Sequence, residues 1–121
     1  MFLMDPHNVH HVLYKAPKIM ADPGDGGTIR VDEDLQILEM VSAAAETRTL
    51  ANPDREGVRF TLRMLTDGGD ITVTAANGLN VTGNTVATFD ATSELLSLVS
   101  VEYASGYRWD ILHNIGSVGL S

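Results

Sequence analysis

Few residues in this chain are equipped for chemistry, and the densest group is His7, His10 and His11, close to Asp5. Imidazoles three and four positions apart share a helical face, the spacing at which they ligate a zinc-type ion. Pro6 limits any helix leading into the cluster, Asp5 is the only local carboxylate, and no HExxH pattern is present. The expectation is a solvated or partner-contacting arm, with no metal or other cofactor assigned.

The acids Asp22, Asp25, Asp32, Glu33 and Asp34 are hard oxygen donors of the type calcium takes, but their spacing departs from the DxDxDG loop. They read as a solvated turn and a polar strand end. Gly24 to Gly27 and Gly68-Gly69 lack the GxxxxGK[ST] pattern and following helix of a phosphate cradle, so they read as turns. Asn80-Val81-Thr82 fits the glycosylation sequon, but no secretory signal accompanies it. Nucleophilic catalysis needs a serine or threonine beside a base. The only histidine beyond residue 20 is His113, and no GxSxG surrounds a serine. No catalytic residue is assigned and the chain is read as a non-enzyme. Trp109, with Tyr107 and Ile111 on its strand face, reads as a core anchor in preference to a sugar-stacking platform.

The elements that must carry these residues follow from composition and periodicity. The chain has 121 residues, within the range of one domain, and no cysteine, which removes thiol chemistry and fits a reducing compartment. Its 16 acidic and 8 basic residues give a net charge of −8, which opposes affinity for phosphate backbones and anionic lipid. Neither nucleic acid nor membrane is expected as a partner. The N-terminus has no basic n-region and no apolar signal core, and no segment reaches the ~20 apolar residues of a membrane-spanning helix. The expectation is a soluble protein made in a cytoplasm.

Ala21 to Gly27, with two acids, a proline and three glycines, is the one internal boundary. It divides the chain into an N-terminal arm with its Gly-rich linker, 1–27, and a β domain, 28–121. In the domain, apolar residues recur with period two. Val58, Phe60, Leu62 and Met64 alternate with Arg59, Thr61 and Arg63, and Ile71, Val73 and Ala75 alternate with Thr72 and Thr74 beyond an Asp-Gly-Gly-Asp turn. These two runs are expected to form a hairpin. Further strands are expected at 28–33, 36–42, 47–50, 85–89, 95–103 and 107–113, with a helix over 35–46 as the competitor to the second of them. About eight short antiparallel strands joined by polar turns make a sandwich or barrel. The run from Leu95 to Val101 is apolar on both faces, which fits either a well-buried strand or one covered outside by another subunit.

The ordered series of segments AETRTL (45–50), GVRFTLRMLTDGGDITVTAANGLNVTGNTVATF (57–89), LLSLVSVEYASGYRWDIL (95–112) and the terminal NIGSVGLS resembles small head decoration, or cement, proteins of tailed bacteriophages. The shared features are a Thr-Arg-Thr-Leu element, a strand ending in Asp-Gly-Gly-Asp, an apolar strand leading to Arg108-Trp109, and a glycine-containing C-terminus. The resemblance covers residues 45–121 and leaves the arm outside. It implies a jelly-roll-like β module, a homotrimer, attachment to the major capsid protein, and a capsid-stabilising role on the outer surface of a virion assembled in a bacterial cytoplasm. The arm fits as a segment that orders on capsid or on a neighbouring protomer, through Phe2, Leu3, His7, His10, His11, Val12, Leu13, Tyr14 and Ile19. Deleting residues 2–20 is expected to leave the β module folded. The alternative is a receptor- or glycan-binding module of a phage tail or fibre, with Trp109, Tyr107 and Tyr103 as stacking surfaces.

Overall fold

The computed structural model describes residues 16–104 and 106–121. The described chain is all-β and contains ten strands: β1 (Lys18–Met20), β2 (Gly27–Ile29), β3 (Gln36–Val41), β4 (Glu46–Leu50), β5 (Arg59–Thr66), β6 (Ile71–Thr74), β7 (Val86–Phe89), β8 (Leu95–Tyr103), β9 (Gly106–Ile115) and β10 (Gly119–Leu120). They form two five-stranded sheets, β1-β3-β5-β8-β9 (sheet A) and β10-β7-β6-β4-β2 (sheet B), which make a sandwich without closing into a barrel. The 35–46 segment is strand, not helix.

The expected all-antiparallel pairing and strand count are corrected. From β1 to β6 the chain alternates between the sheets, so each strand returns beside the strand two before it and runs in the same direction. The pairs β1/β3, β3/β5, β2/β4 and β4/β6 are therefore parallel. Antiparallel pairing takes over only with β7, β8, β9 and β10. The first half is thus a stack of three two-strand rungs. The proposed hairpin between β5 and β6 is absent, because β5 lies in sheet A and β6 in sheet B. Alternation sends Phe60, Leu62 and Met64 inward from one sheet and Ile71 and Val73 inward from the other, and both sets are fully buried. A period-two pattern says which face is apolar but not which strand lies alongside. Three residues expected in the arm are also paired: β1 contributes Lys18, Ile19 and Met20 to the edge of sheet A, and the boundary placed after residue 27 falls within β2.

Three corners, 21–26, 42–45 and 67–70, stack at one end of the sandwich. The amide of Ser42 donates to the Thr66 carbonyl at 3.1 Å and that of Glu46 to the Asp70 carbonyl at 2.9 Å, while the Ser42 hydroxyl donates to the Gly69 carbonyl and accepts from the Gly68 amide. Gly68 and Gly69 are required for lack of space: a Cβ on Gly68 would overlap the Ser42 carbonyl, and one on Gly69 the Ala44–Ala45 peptide, all of it backbone. Gly69→Ala is accordingly expected to destabilise the fold by about 1–3 kcal/mol, the range of overpacking, read as a lower urea midpoint.

The core lies between the sheets. Leu38, Met40, Phe60, Leu62, Met64, Leu96, Leu98 and Trp109 face Ile29, Leu50, Ile71, Val73, Ala87 and Phe89. Trp109 is fully buried, edge-on to Phe60 with centroids 6.2 Å apart, and its indole N–H donates to the Ala51 carbonyl at 3.2 Å. The expected core role of Trp109 is what the fold shows.

Candidate binding surface

No cavity opens among the described residues, and they contain no group of three or more histidine, cysteine or carboxylate side chains placed to hold a metal ion. What the fold offers a ligand is its two outer faces. Phe2, Leu3, His7, His10, His11, Val12, Leu13 and Tyr14 lie outside the described residues. Ile19, the remaining arm residue, stands on the outer face of β1 with 58% of its surface exposed.

Alternation and register build the outer face of sheet A row by row. Ile19 lies beside Ile37, then Thr61, Ser97 and His113; Glu39 lies beside Arg63, then Leu95 and Ile115; Arg59 lies beside Val99 and Asp110. A bulge in β9 opposite Ser97 and Leu98 adds Leu112 to the exposed strand. Ile115 is 57% exposed, Val41 46% and Leu65 41%, so this face presents large apolar side chains that the domain itself leaves uncovered. Its charges are matched in place: Arg63 to Glu39 at 2.7 Å, Arg59 to Asp34 at 2.8 Å, and Arg108 toward Asp110 at 3.9 Å. Arg108 also lies over the Tyr103 ring, 5.7 Å from its centroid. The strand β8 has Leu96 and Leu98 in the core and half-buried Leu95, Val99 and Val101 on this outer side, which accounts for its apolar character on both faces.

Sheet B presents different chemistry. Its rows run Thr28, Thr49, Thr74, Val86 and Thr47, Thr72, Thr88, Gly119, with no charged side chain at these positions. The acidic surplus therefore sits at the corners and loops, in residues such as Asp25, Asp54, Glu56, Asp67, Asp70 and Asp90, while both sheet faces are close to neutral.

The stacked corners hold a charge cluster that the sequence reading missed. Arg48 projects inward from β4 and its side chain is fully buried. It donates from Nε to Asp22 Oδ1 at 2.7 Å, and from Nη2 to Asp22 Oδ2 at 2.8 Å, Glu46 Oε1 at 3.0 Å and the Val41 carbonyl at 3.1 Å. Asp22 also accepts from the amides of Gly24 and Val41. Burial pushes the Asp22 carboxyl up, but the Arg48 guanidinium and these two amides outweigh it and hold it below its ordinary value. The Asp22 bond in turn raises Arg48, against its own desolvation. Asp22, read from sequence as part of a solvated turn, is thus a structural ligand of a buried cation. The signal was available: with Leu50 inward, period two puts Arg48 on the same side.

Glu94, a buried carboxyl, accepts from the amides of Asp90 and Ala91 through Oε1. Desolvation raises its pKa, and the nearby Asp90 adds to that against the pull of the amides. A raised carboxyl makes the folded state bind its proton more tightly, so this group's contribution falls as pH climbs from the unfolded value of about 4.3 through the folded one. Glu94→Gln keeps the accepting oxygen and is expected to flatten that decline, with equal or higher stability at pH 7 in urea titrations across pH 4–8.

No family model and no curated protein matches this chain.

Proposed function

We propose that this chain is an accessory binding protein of a tailed-bacteriophage head, which attaches to the outer surface of the assembled shell through sheet A and stabilises it. The observation that carries the reading is the outer face of sheet A, where Ile19, Ile37, Val41, Leu65, Leu95, Val99, Val101 and Ile115 stand among matched ion pairs. Such a face can be covered without stranding a charge, because each guanidinium brings its carboxylate with it. It spans roughly 20 Å across five strands and up to about 30 Å along β8, which approaches the roughly 800 Å² per partner of a standard interface. The resemblance over residues 45–121 supplies the partner class, major capsid protein, and the homotrimer. A ligand that binds the lattice but not its free subunits lowers the free energy of the assembled state, and a trimer holds it by several contacts at once. In this scheme the protein is made in the bacterial cytoplasm and resides on the virion exterior.

The glycan-binding alternative has lost its central residue, since a fully buried Trp109 offers no stacking surface.

The test is co-sedimentation of the purified chain with phage heads that lack it. Saturable binding with a higher disruption temperature of the heads is expected. Val99→Asp with Ile115→Asp should leave the fold intact and weaken binding at least about tenfold, roughly 1.4 kcal/mol. The arm is tested by removing residues 2–15, because removal to residue 20 also takes away β1. Failure of the unaltered chain to bind any such head would sink the proposal.

A further inference from the structure

We propose that residues 18–29, the first rung of the stack, form an exchangeable element that a second copy of this chain supplies to the edges of β3 and β4. This inference is independent of the shell-binding reading. The first rung is the outermost layer of both sheets: β1 pairs only with β3 and β2 only with β4. One connection, residues 30–35, ties it to the rest of the domain. Its strand pairings with β3 and β4 can therefore be remade between chains, with no new interface required, which is the condition for domain swapping.

The connection favours opening. Leu35 is held at φ 66°, a left-handed conformation costly for a side chain with a Cβ, and it is the hinge residue next to β3. Straightening residues 30–35 into an intermolecular linker releases that strain, and short strained hinges promote swapping. A six-residue segment reaches about 20 Å when extended, enough to span to an adjacent copy.

The closed form is latched at the corner by Asp22 and at the connection by Asp34, which accepts from the amide and guanidinium of Arg59. The Asp22 carboxylate takes four hydrogen bonds, three of them from β3 and β4 through Val41 and Arg48, and the same corner adds Gly26 to Thr47 and Thr47 to Asp25. Release also withdraws buried Ile29 from the core and breaks the contact from Gln36 Nε2 to the Met20 sulfur at 3.1 Å. Exchange is therefore slow, and weakening the Asp22 latch accelerates it.

The chain has no cysteine, so a pair can be introduced without competition. Ile19 and Ile37 are register partners on the exposed side of β1 and β3. The full chain carrying Ile19→Cys and Ile37→Cys, refolded at low and at high concentration and then oxidised, is expected to give mainly internal bonds in dilute solution and disulfide-linked dimers in concentrated solution. Mixing the two single variants before refolding should yield the mixed cross-link. Adding Leu35→Gly should lower the dimer share several-fold, and Asp22→Asn should speed dimer formation. Unaltered chains in heavy and light isotopic forms, refolded together at high concentration, should show mixed dimers by native mass spectrometry. Internal bonds alone at every concentration, or mixed dimers with no 19-to-37 cross-link, would overturn the proposal.

Discussion

Replacing Arg48 by methionine is expected to destabilise the domain by about 3–5 kcal/mol, the loss seen when one member of a buried ion pair is removed. Methionine fills much the same volume, so the cost comes from the partners. Asp22 would keep the amides of Gly24 and Val41 but lose two charge-assisted bonds, and Glu46 would keep only the Ala43 amide. The pH dependence separates charge from packing. Asp22 has a depressed folded pKa, so its stabilisation is complete above the unfolded value of about 3.9 and is lost as pH falls through the folded value. The unaltered chain should therefore lose stability steeply in acid, and Arg48→Met should lose much less over the same interval. Asp22→Asn combined with Arg48→Met should cost clearly less than the sum of the single changes, because the two residues act as one unit. Urea titrations from pH 2.5 to 7 measure all of this, and additive costs with parallel acid profiles would show that the pair does not hold the corners together.

How far the sequence led depends on which residues are asked. Period-two alternation correctly placed Phe60, Leu62, Met64, Ile71 and Val73 in one interior, and the all-β sandwich followed from it. It failed at the Asp-Gly-Gly-Asp corner, because the same four residues that make a tight hairpin also make a corner crossing between sheets. What distinguishes the two is the packing of Gly68 and Gly69 on the Ser42–Ala45 backbone, a contact some 25 positions away in the chain. Arg48 was legible in phase but not in partner, since Asp22 and Arg48 meet only when the first and second rungs stack. The outer face of sheet A was half legible. The doubly apolar β8 left open a well-buried strand or one covered from outside, whereas Ile37 and Ile115 join that face only through a register set by β3, β5 and β9.

Trp109→Ala should cost about 3–5 kcal/mol, the range for emptying a buried aromatic site. The residue connects three parts of the molecule. Its ring closes edge-on against Phe60 on β5, its indole N–H holds the Ala51 carbonyl after β4, and its amide donates to the Gly78 carbonyl at 3.1 Å on the loop that covers the β9 edge. Asn77 reinforces that loop by donating from Nδ2 to the Tyr107 carbonyl at 2.9 Å. Alanine preserves the backbone bond but empties the space between sheets A and B and orphans the Ala51 carbonyl. Trp109→Phe should recover a large part of the loss, while still lacking the indole bond, worth about 1 kcal/mol. Under the proposed function the effect on binding should be indirect: at a temperature where Trp109→Phe is fully folded, its affinity for phage heads should equal that of the unaltered chain, because the ring faces the core and the proposed contact face lies on the other side of β9. A tenfold loss of affinity in folded Trp109→Phe protein would place the contact at the 76–84 loop and the β9 edge instead of on the face of sheet A.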